Sequence, residues 1–445
     1  MSLQSHQYTQ DNAERAYLVG VAVRGTLPLL SVEESLEELM LLARTAGLEV
    51  VGMASQILHR IDPKTFIGMG KLEELKAETE ALGVQTILFD DELSPRHQRE
   101  LETAFGERYK ILDRSALILD IFAMHANTRE GSLQVELAQY EYLLPRLTRQ
   151  WTHLERQTGG GAARGGSGGV GLRGPGEKQL EVDRRDILRR ISRLKLDLED
   201  VRAHRSRHRV SRLKAGIPVV SVVGYTNAGK SSLMKAMTGA DVYVADQLFA
   251  TLDPTTRKLG LPGGKEILVS DTVGFIQKLP ATLVAAFRAT LEEIVQSDLI
   301  LHVVDSAHPN ALQHIEAVED TLAEIEVPPV PQIVVLNKRD LWETAEVEAR
   351  FRDLDYDQIV VTSARQKRGI DDLLVAIETT LQKRMTPIDV TLPYQAGELI
   401  ALMHQRGVIE TETHLDKGVH IVGHVPPALV DRLLAAGLHP RKEGA

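Results

Sequence analysis

The stretch Val219-Val-Ser-Val-Val-Gly224-Tyr225-Thr226-Asn227-Ala228-Gly229-Lys230-Ser231-Ser232 decides the fold. Its first half is an apolar, β-branched run that reads as a strand. Its second half fits the phosphate-loop pattern G-x-x-x-x-G-K-[ST], and Ser231–Met237 has the texture of a helix opening directly from it. Two glycines let the chain curl so that its N–H groups point inward at phosphate oxygens, and the helix N-terminus adds partial positive charge. Lys230 is placed to neutralise the β and γ phosphates, and the Ser231 hydroxyl to ligate Mg²⁺. The loop therefore predicts an α/β domain that binds a nucleoside triphosphate.

Three further motifs follow in order, each after a short apolar strand. Asp271-Thr272-Val273-Gly274 follows Glu266–Val269; Asp271 can hold the water shell of the Mg²⁺ and the Gly274 N–H can meet the γ-phosphate. Asn337-Lys338-Arg339-Asp340 follows Ile333–Leu336. The Asp340 carboxylate can accept from guanine N1–H and N2–H₂ together, a donor pair adenine lacks, so the position selects guanine. Asn337 would brace the loop, with the Lys338 stem along the base plane. Ser363-Ala364, with Arg365 beside them, follows Ile359–Val361, where a backbone N–H can contact guanine O6. Singly each motif is weak. Together, at the carboxyl ends of strands, they resemble the translation-factor-like GTPases. The loop that senses the γ-phosphate must lie before Asp271, and Thr251, Thr255 and Thr256 all qualify on local grounds. After D-x-x-G stands Phe275, which cannot orient a water; Gln277 is two residues on. Slow intrinsic hydrolysis is expected, accelerated when a partner rearranges the switch.

Around this domain the 445-residue chain carries 52 Lys and Arg against 62 Asp and Glu, a net charge of −10, and no cysteine. The missing cysteine removes disulfides, thiolate–zinc sites, thiol nucleophiles and iron–sulfur clusters. No stretch approaches a membrane span and no secretory signal is visible, which predicts a cytoplasmic protein. The charge is uneven: Leu143–Lys214 holds 18 Lys and Arg and 8 Asp and Glu, a local +10, so the remainder carries −20. Such a segment suggests a polyanionic partner.

Four domains are predicted. Residues 1–130 alternate helices (Ser31–Thr45, Ser94–Phe105) with short strands (Glu49–Ala54, Thr86–Phe89, Lys110–Asp113), a small α/β domain. Residues 131–214 read as a helical hairpin: Leu133, Leu137, Tyr140, Leu144 and Leu147 on a first helix running to about Gln157 with a kink at Pro145, and Leu180, Ile187, Ile191, Leu194, Leu198 and Val201 on a second. Between them Gly159–Gly176 has ten glycines in 18 residues. The second helix carries Arg184, Arg185, Arg189, Arg190, Arg193, Arg202, Arg205, Arg207, Arg209 and Arg212, a residue type suited to bidentate phosphate contact; pairs such as Asp186–Arg190 are the bland alternative. Arg164 and Arg173 mark a slim tip able to enter a narrow RNA cavity. Residues 215–385 are the nucleotide domain. After a linker at Met385–Pro387, residues 386–445 form a small α/β domain without chemical motifs.

The phosphate loop GYTNAGKSS, the segment DQLFATLDPTTR, DTVGF, IGMGKLEEL and the glycine-rich run ending GEKQLE resemble HflX-type GTPases from about Tyr17 to the end of the nucleotide domain. That resemblance implies a Mg²⁺-dependent GTPase in which Thr251 is the switch ligand beside Ser231, with Phe249, Ala250, Leu252 and Asp253 around the nucleotide. Lys230, Thr251 and Gly274 then carry the hydrolysis. It also implies a monomeric cytoplasmic protein that binds the large ribosomal subunit and its rRNA, and that splits or rescues stalled ribosomes under stress. Two alternatives stand beside it: an RNA-binding module for which GTP is only a licence, and an ATP-dependent rRNA remodeller using the N-terminal domain. For the latter, Gly68, Gly70 and Lys71 could cradle a second nucleotide, though a turn before a helix at Leu72–Leu82 is the simpler reading. His204 and His208 belong with the basic face, and Trp151, Tyr140 and Tyr142 with packing.

Overall fold

The computed structural model describes residues 14–26, 28–147, 182–201, 217–239, 248–249, 255–279, 294–342, 349–352, 354 and 356–438. The glycine-rich loop 159–176, Trp151, His204, His208, the arginines from Arg202 to Arg212, and Ala250, Thr251, Leu252 and Asp253 lie outside these residues. The chain divides into two units, residues 1–201 with 278–287, and residues 202–277 with 288–445.

The first unit is built on four parallel strands in the order β2-β1-β3-β4. These are β1 (Arg15–Val23), β2 (Glu49–Leu58), β3 (Thr86–Phe89) and β4 (Lys110–Asp113). The links are helical: α1 (Val32–Thr45), α2 (Met69–Ala81) and α3 (Pro95–Phe105), with α4 (Arg114–His125) leaving β4. Helix starts follow local chemistry. Ser31 and Glu34 form a reciprocal capping box, and the Ser94 hydroxyl accepts from the His97 N–H at 3.1 Å with Pro95 behind it. Tyr17, Val19, Ile87, Phe89 and Ile111 from the sheet pack with Leu72, Leu75 and Leu101. The central strand β1 was not among the elements read from sequence.

A buried ionic cluster lies in this unit. Arg114, 1 % exposed, pairs with Glu38 and with Asp90 at 3.4 Å, and Ser35 Oγ donates to Asp90 at 2.7 Å. Lys278, which groups with this unit, reaches Asp90 and Asp91 at 2.5 and 2.6 Å. Burial would raise the Asp90 carboxyl, but Arg114 and Lys278 outweigh it and hold the group below its ordinary value.

Helix α5 (Arg129–Leu143), capped by Thr128, ends in a 3₁₀ turn at Leu144–Arg146 around Pro145. A further helix, α6, occupies 182–201. Leu137 packs against Ile191, Leu194 and Leu198, flanked by Leu133, Tyr140 and Ile187. Arg190 is bound by Glu136 at 2.7 Å and Lys195 by Glu141 at 2.9 Å. Asp186, weighed in the bland alternative as a partner of Arg190, pairs with Arg189 at 3.2 Å, and Arg190 turns toward α5.

The second unit holds a six-stranded sheet in the order β10-β9-β8-β5-β7-β6, parallel except for edge strand β6. Its strands are β5 (Val219–Gly224), β6 (Thr256–Gly260), β7 (Glu266–Asp271), β8 (Leu299–Asp305), β9 (Gln332–Asn337) and β10 (Gln358–Val361). β8 is buried along nearly its whole length, as a strand covered on both faces must be. Helices α7 (Lys230–Thr238), α8 (Ala311–Glu324) and α9 (Ile370–Lys383) belong to it. A separate core at the C-terminus joins the antiparallel order β11-β13-β12 to two helices. The strands are β11 (Thr386–Leu392), β12 (Val408–Leu415) and β13 (Gly418–Val425), and the helices α10 (Gly397–Arg406) and α11 (Pro427–Ala435). Here Thr386 and Pro387, expected as linker, begin β11. β12 escaped notice because it is an edge strand with mostly exposed polar residues.

Candidate nucleotide site

Strand β5 is paired on both sides and runs straight into the phosphate loop. At Gly224 a Cβ would lie 2.2 Å from the Val303 carbonyl oxygen, and at Gly229, with φ +91°, 2.4 Å from Asn337 Nδ2. Both positions exclude a side chain, and Asn227 turns the loop through the left-handed region at φ +58°. Lys230 is buried at the first residue of α7 and donates to the carbonyls of Gly224 at 2.9 Å and Tyr225 at 2.8 Å. An ammonium has three N–H groups, so these two hold the side chain and the third is left for a phosphate oxygen. Burial lowers the amine to about 8, with Asp271 acting against that shift.

Asp271, 1 % exposed at the end of β7, accepts from Ser231 Oγ at 3.0 Å and from the Thr272 N–H at 3.1 Å. Thr272 Oγ1 donates to Val222 O at 2.7 Å, pinning the start of the D-x-x-G turn to β5. Gly274 is packed so closely that a Cβ would meet Thr226 at 2.9 Å and Lys230 Nζ at 3.0 Å. Phe275 is buried at 2 %. Its N–H donates to Gly224 O at 3.1 Å and its carbonyl accepts from the Thr226 N–H at 2.7 Å. The structure thus brings Gly224, Tyr225, Thr226, Lys230, Ser231, Asp271, Thr272, Val273 and Gly274 into one cradle, with Ala228 and Ser232 flanking it.

The second lobe of the site forms at β9 and β10. Asn337 Nδ2 donates to Ala228 O at 3.0 Å, and its Oδ1 accepts from the Ala364 N–H at 3.0 Å and Thr362 Oγ1 at 3.3 Å. Lys338, at φ +64°, pairs with Asp305 at 2.7 Å. Ser363 Oγ donates to Asp340 at 2.5 Å and accepts from the Gln366 N–H at 3.1 Å. Arg339 stacks over Trp342, whose Nε1 donates to Ser306 Oγ at 2.7 Å. Arg365 is exposed at the lip. Of the segment expected to sense the γ-phosphate, Phe249, Thr255 and Thr256 are described: Phe249 is buried and left-handed at φ +59°, and Thr256 opens edge strand β6.

Two contributors were not anticipated. Asp305 and Ser306, at the end of β8, hold the Lys338 and Trp342 side chains and belong to no recognised motif. Tyr225 was expected as a phosphate-loop residue, but not its packing: its ring stacks on His314 with centroids 3.9 Å apart and planes 4° apart. The aromatic at the first variable position of the phosphate loop was the one available signal. In the N-terminal unit, Gly68 caps α2 and the GMGK run enters the helix rather than preceding it; the Gly68 N–H is held by Gln56 and Lys71 pairs with Glu74 at 2.7 Å.

Residues 33–123 match the model of the GTP-binding GTPase N-terminal family, 125–212 the GTP-binding GTPase middle region, and 219–338 the 50S ribosome-binding GTPase family. The GTPase HflX of Caldanaerobacter subterraneus subsp. tengcongensis is 45 % identical over 420 residues, covering 94 % of this chain and 93 % of its own. The chain belongs to the HflX GTPase family. GTPase HflX of Escherichia coli K12 is 43 % identical, with 90 % of this chain and 94 % of its own covered. Among solved structures, a GTP-binding protein from Sulfolobus solfataricus in complex with GDP is 24 % identical with a TM-score of 0.42, over 83 % of this chain and 99 % of that one. As an HflX-family member the chain is a GTPase.

Proposed function

We propose that this HflX-family GTPase binds GTP with Mg²⁺ at the 224–232, 271–274, 337–340 and 363–365 loops. We further propose that it docks on the large ribosomal subunit through its basic hairpin and uses the nucleotide cycle to split or rescue ribosomes. The observation that carries the nucleotide reading is Asn337, which hydrogen-bonds the phosphate loop and the Ser363-Ala364 loop at once. Guanine then lies against Asp340, already oriented by Ser363. Ser231 and Asp271 fit a magnesium ion: both are hard oxygen donors, 3.0 Å apart and next to Lys230. Ser231 would ligate it directly and Asp271 through water, with Thr251 as the second hydroxyl; the ion would neutralise developing charge on the phosphates. Lys230 holds the β and γ phosphates, and the Gly274 N–H orders the switch against them. Phe275, buried where many such GTPases carry a polar side chain, cannot orient a water, which supports slow turnover until a partner reshapes the loop.

Ribosome docking is supported by the basic hairpin and by the description of the family matched over 219–338. On α6, Arg190 serves the hairpin itself, while Arg184 and Arg193 are exposed and point to a polyanion. Sedimentation of intact ribosomes with the protein and GTP, GDP or a non-hydrolysable analogue tests the reading. Subunit peaks rising with GTP or the analogue and not with GDP are expected, with affinity falling steeply as salt is raised. Intact ribosomes under every nucleotide, or binding indifferent to salt, would overturn it.

A further inference from the structure

Three hydrogen bonds zip the segment after D-x-x-G onto the phosphate loop. Two use main-chain groups that any residue supplies: Phe275 N–H to Gly224 O, and Thr226 N–H to Phe275 O. The third requires a particular side chain, since the Gln277 N–H donates to the Tyr225 hydroxyl at 2.8 Å. Phenylalanine or a smaller residue at position 225 would leave that N–H without this acceptor.

The Tyr225 ring is itself fixed. It is 4 % exposed and lies flat on the His314 imidazole, which belongs to α8. His314 sits beside His308, their centroids 4.5 Å apart. His308 follows closely on Asp305 and Ser306, which hold Lys338 and Trp342 of the base-binding loop. A continuous set of contacts therefore runs from the guanine loop through the histidines and Tyr225 to Gln277. Gly274 immediately precedes this anchored segment and lies next to Lys230.

We propose that Tyr225 is a positioning residue for the switch: its hydroxyl pre-orders residues 274–277 so that the Gly274 N–H is already near the γ-phosphate position when GTP arrives. The inference rests on the nucleotide reading above and deepens it. Its energetic logic is differential. GDP has no γ-phosphate and gains nothing from an ordered switch, whereas GTP avoids the cost of ordering four residues. Tyr225 accordingly contributes to the preference for the triphosphate and not to general nucleotide affinity.

The test is equilibrium binding of Mg²⁺-GDP and of a Mg²⁺-bound non-hydrolysable GTP analogue to the full chain, alongside steady-state GTP turnover. Tyr225→Phe deletes one oxygen and keeps the stacked ring. It should lower analogue affinity relative to GDP by about five- to tenfold, the scale of one hydrogen bond, and lower kcat in the same direction. His314→Ala, which frees the ring, should shift the ratio likewise, and His314→Phe, which keeps a stacking surface, should restore most of it. An unchanged analogue-to-GDP ratio in Tyr225→Phe, or equal weakening of both nucleotides, overturns the proposal. A wild-type chain that binds neither guanine nucleotide instead overturns the nucleotide reading on which it stands.

Discussion

Asn337 Nδ2 lies 3.0 Å from the carbonyl oxygen of Ala228, a residue 109 positions earlier in the chain, and this bond makes the two lobes of the candidate nucleotide site one object. The amide uses both ends: nitrogen toward the phosphate loop, oxygen toward Ala364 and Thr362. Gly229 has no side chain because the Asn337 nitrogen fills that space. Asn337→Ala removes the partner of the buried Ala228 carbonyl and of the partly buried Ala364 N–H together. The expected loss is about 1–3 kcal/mol of stability, by the cost of orphaned buried groups. Thermal melts of the variant should show it, and the loss of nucleotide affinity should affect GDP and GTP alike.

Asp340 makes a different prediction, about which base is chosen. Its carboxylate accepts from Ser363 Oγ at 2.5 Å, which fixes its orientation. Asp340→Asn turns one acceptor into a donor and sets it against the guanine N–H groups. Affinity for GTP should fall by about a hundredfold or more, since bonds to charged groups are worth roughly 1.5–3 kcal/mol each. Xanthosine triphosphate, which offers a carbonyl where guanine has its amino group, should gain. Competition binding with the two nucleotides checks both directions.

Lys230 gives a pH dependence whose sign is fixed by its environment. Burial lowers the amine to about 8 from an ordinary 10.5, so the nucleotide-free protein loses this charge on the alkaline side. Bound phosphates favour the charged form, so binding above pH 8 must take up a proton. Affinity for GTP should be nearly flat from pH 7 to about 8 and then fall, by up to about tenfold per pH unit. Calorimetry in two buffers of different ionisation enthalpy should report the proton. In folding, the unfolded chain keeps this lysine protonated up to its ordinary value. The penalty of burying it is therefore full below about 8 and relieved as pH rises from there.

Arg114 bears on stability rather than nucleotide. It is buried with Glu38 and Asp90, and Ser35 completes the cluster. Arg114→Met would remove the buried cation that Glu38 and Asp90 share, leaving Asp90 to Lys278, at a cost of about 3–5 kcal/mol. Chemical denaturation should show the first unit weakened. The Asp90 carboxyl, held below its ordinary value, contributes stability that is present above the usual carboxylate range and lost as pH falls through its lower folded value. Asp90→Asn should flatten that acid limb.

What the chain revealed in advance divides along physical lines. The phosphate loop, D-x-x-G, Asn337–Asp340 and Ser363-Ala364 are short because backbone geometry dictates their residues, and they were legible as strings. Capping at Ser31 and Ser94 is local in the same sense. The hairpin seam through Leu137, Ile191, Leu194 and Leu198 followed from helical spacing. Contacts made across long separations were not visible. Arg190 turns to Glu136, 54 residues away, instead of Asp186 on its own helix, and the Asp305–Lys338 pair has no sequence spacing to announce it. β12 lacked the apolar alternation that marks a half-buried strand, since its exposed face and edge position ask for none.

Strand β5 has neighbours on both sides, and its residues from Val220 to Gly224 are buried. Amide protons along it should be among the last in the molecule to exchange with solvent, while those of the loops at its carboxyl end should exchange through small local openings. Warming the protein would then silence the switch well before the sheet melts. A drop in turnover with undiminished circular dichroism would mark that interval, in which the scaffold outlives its own responsiveness.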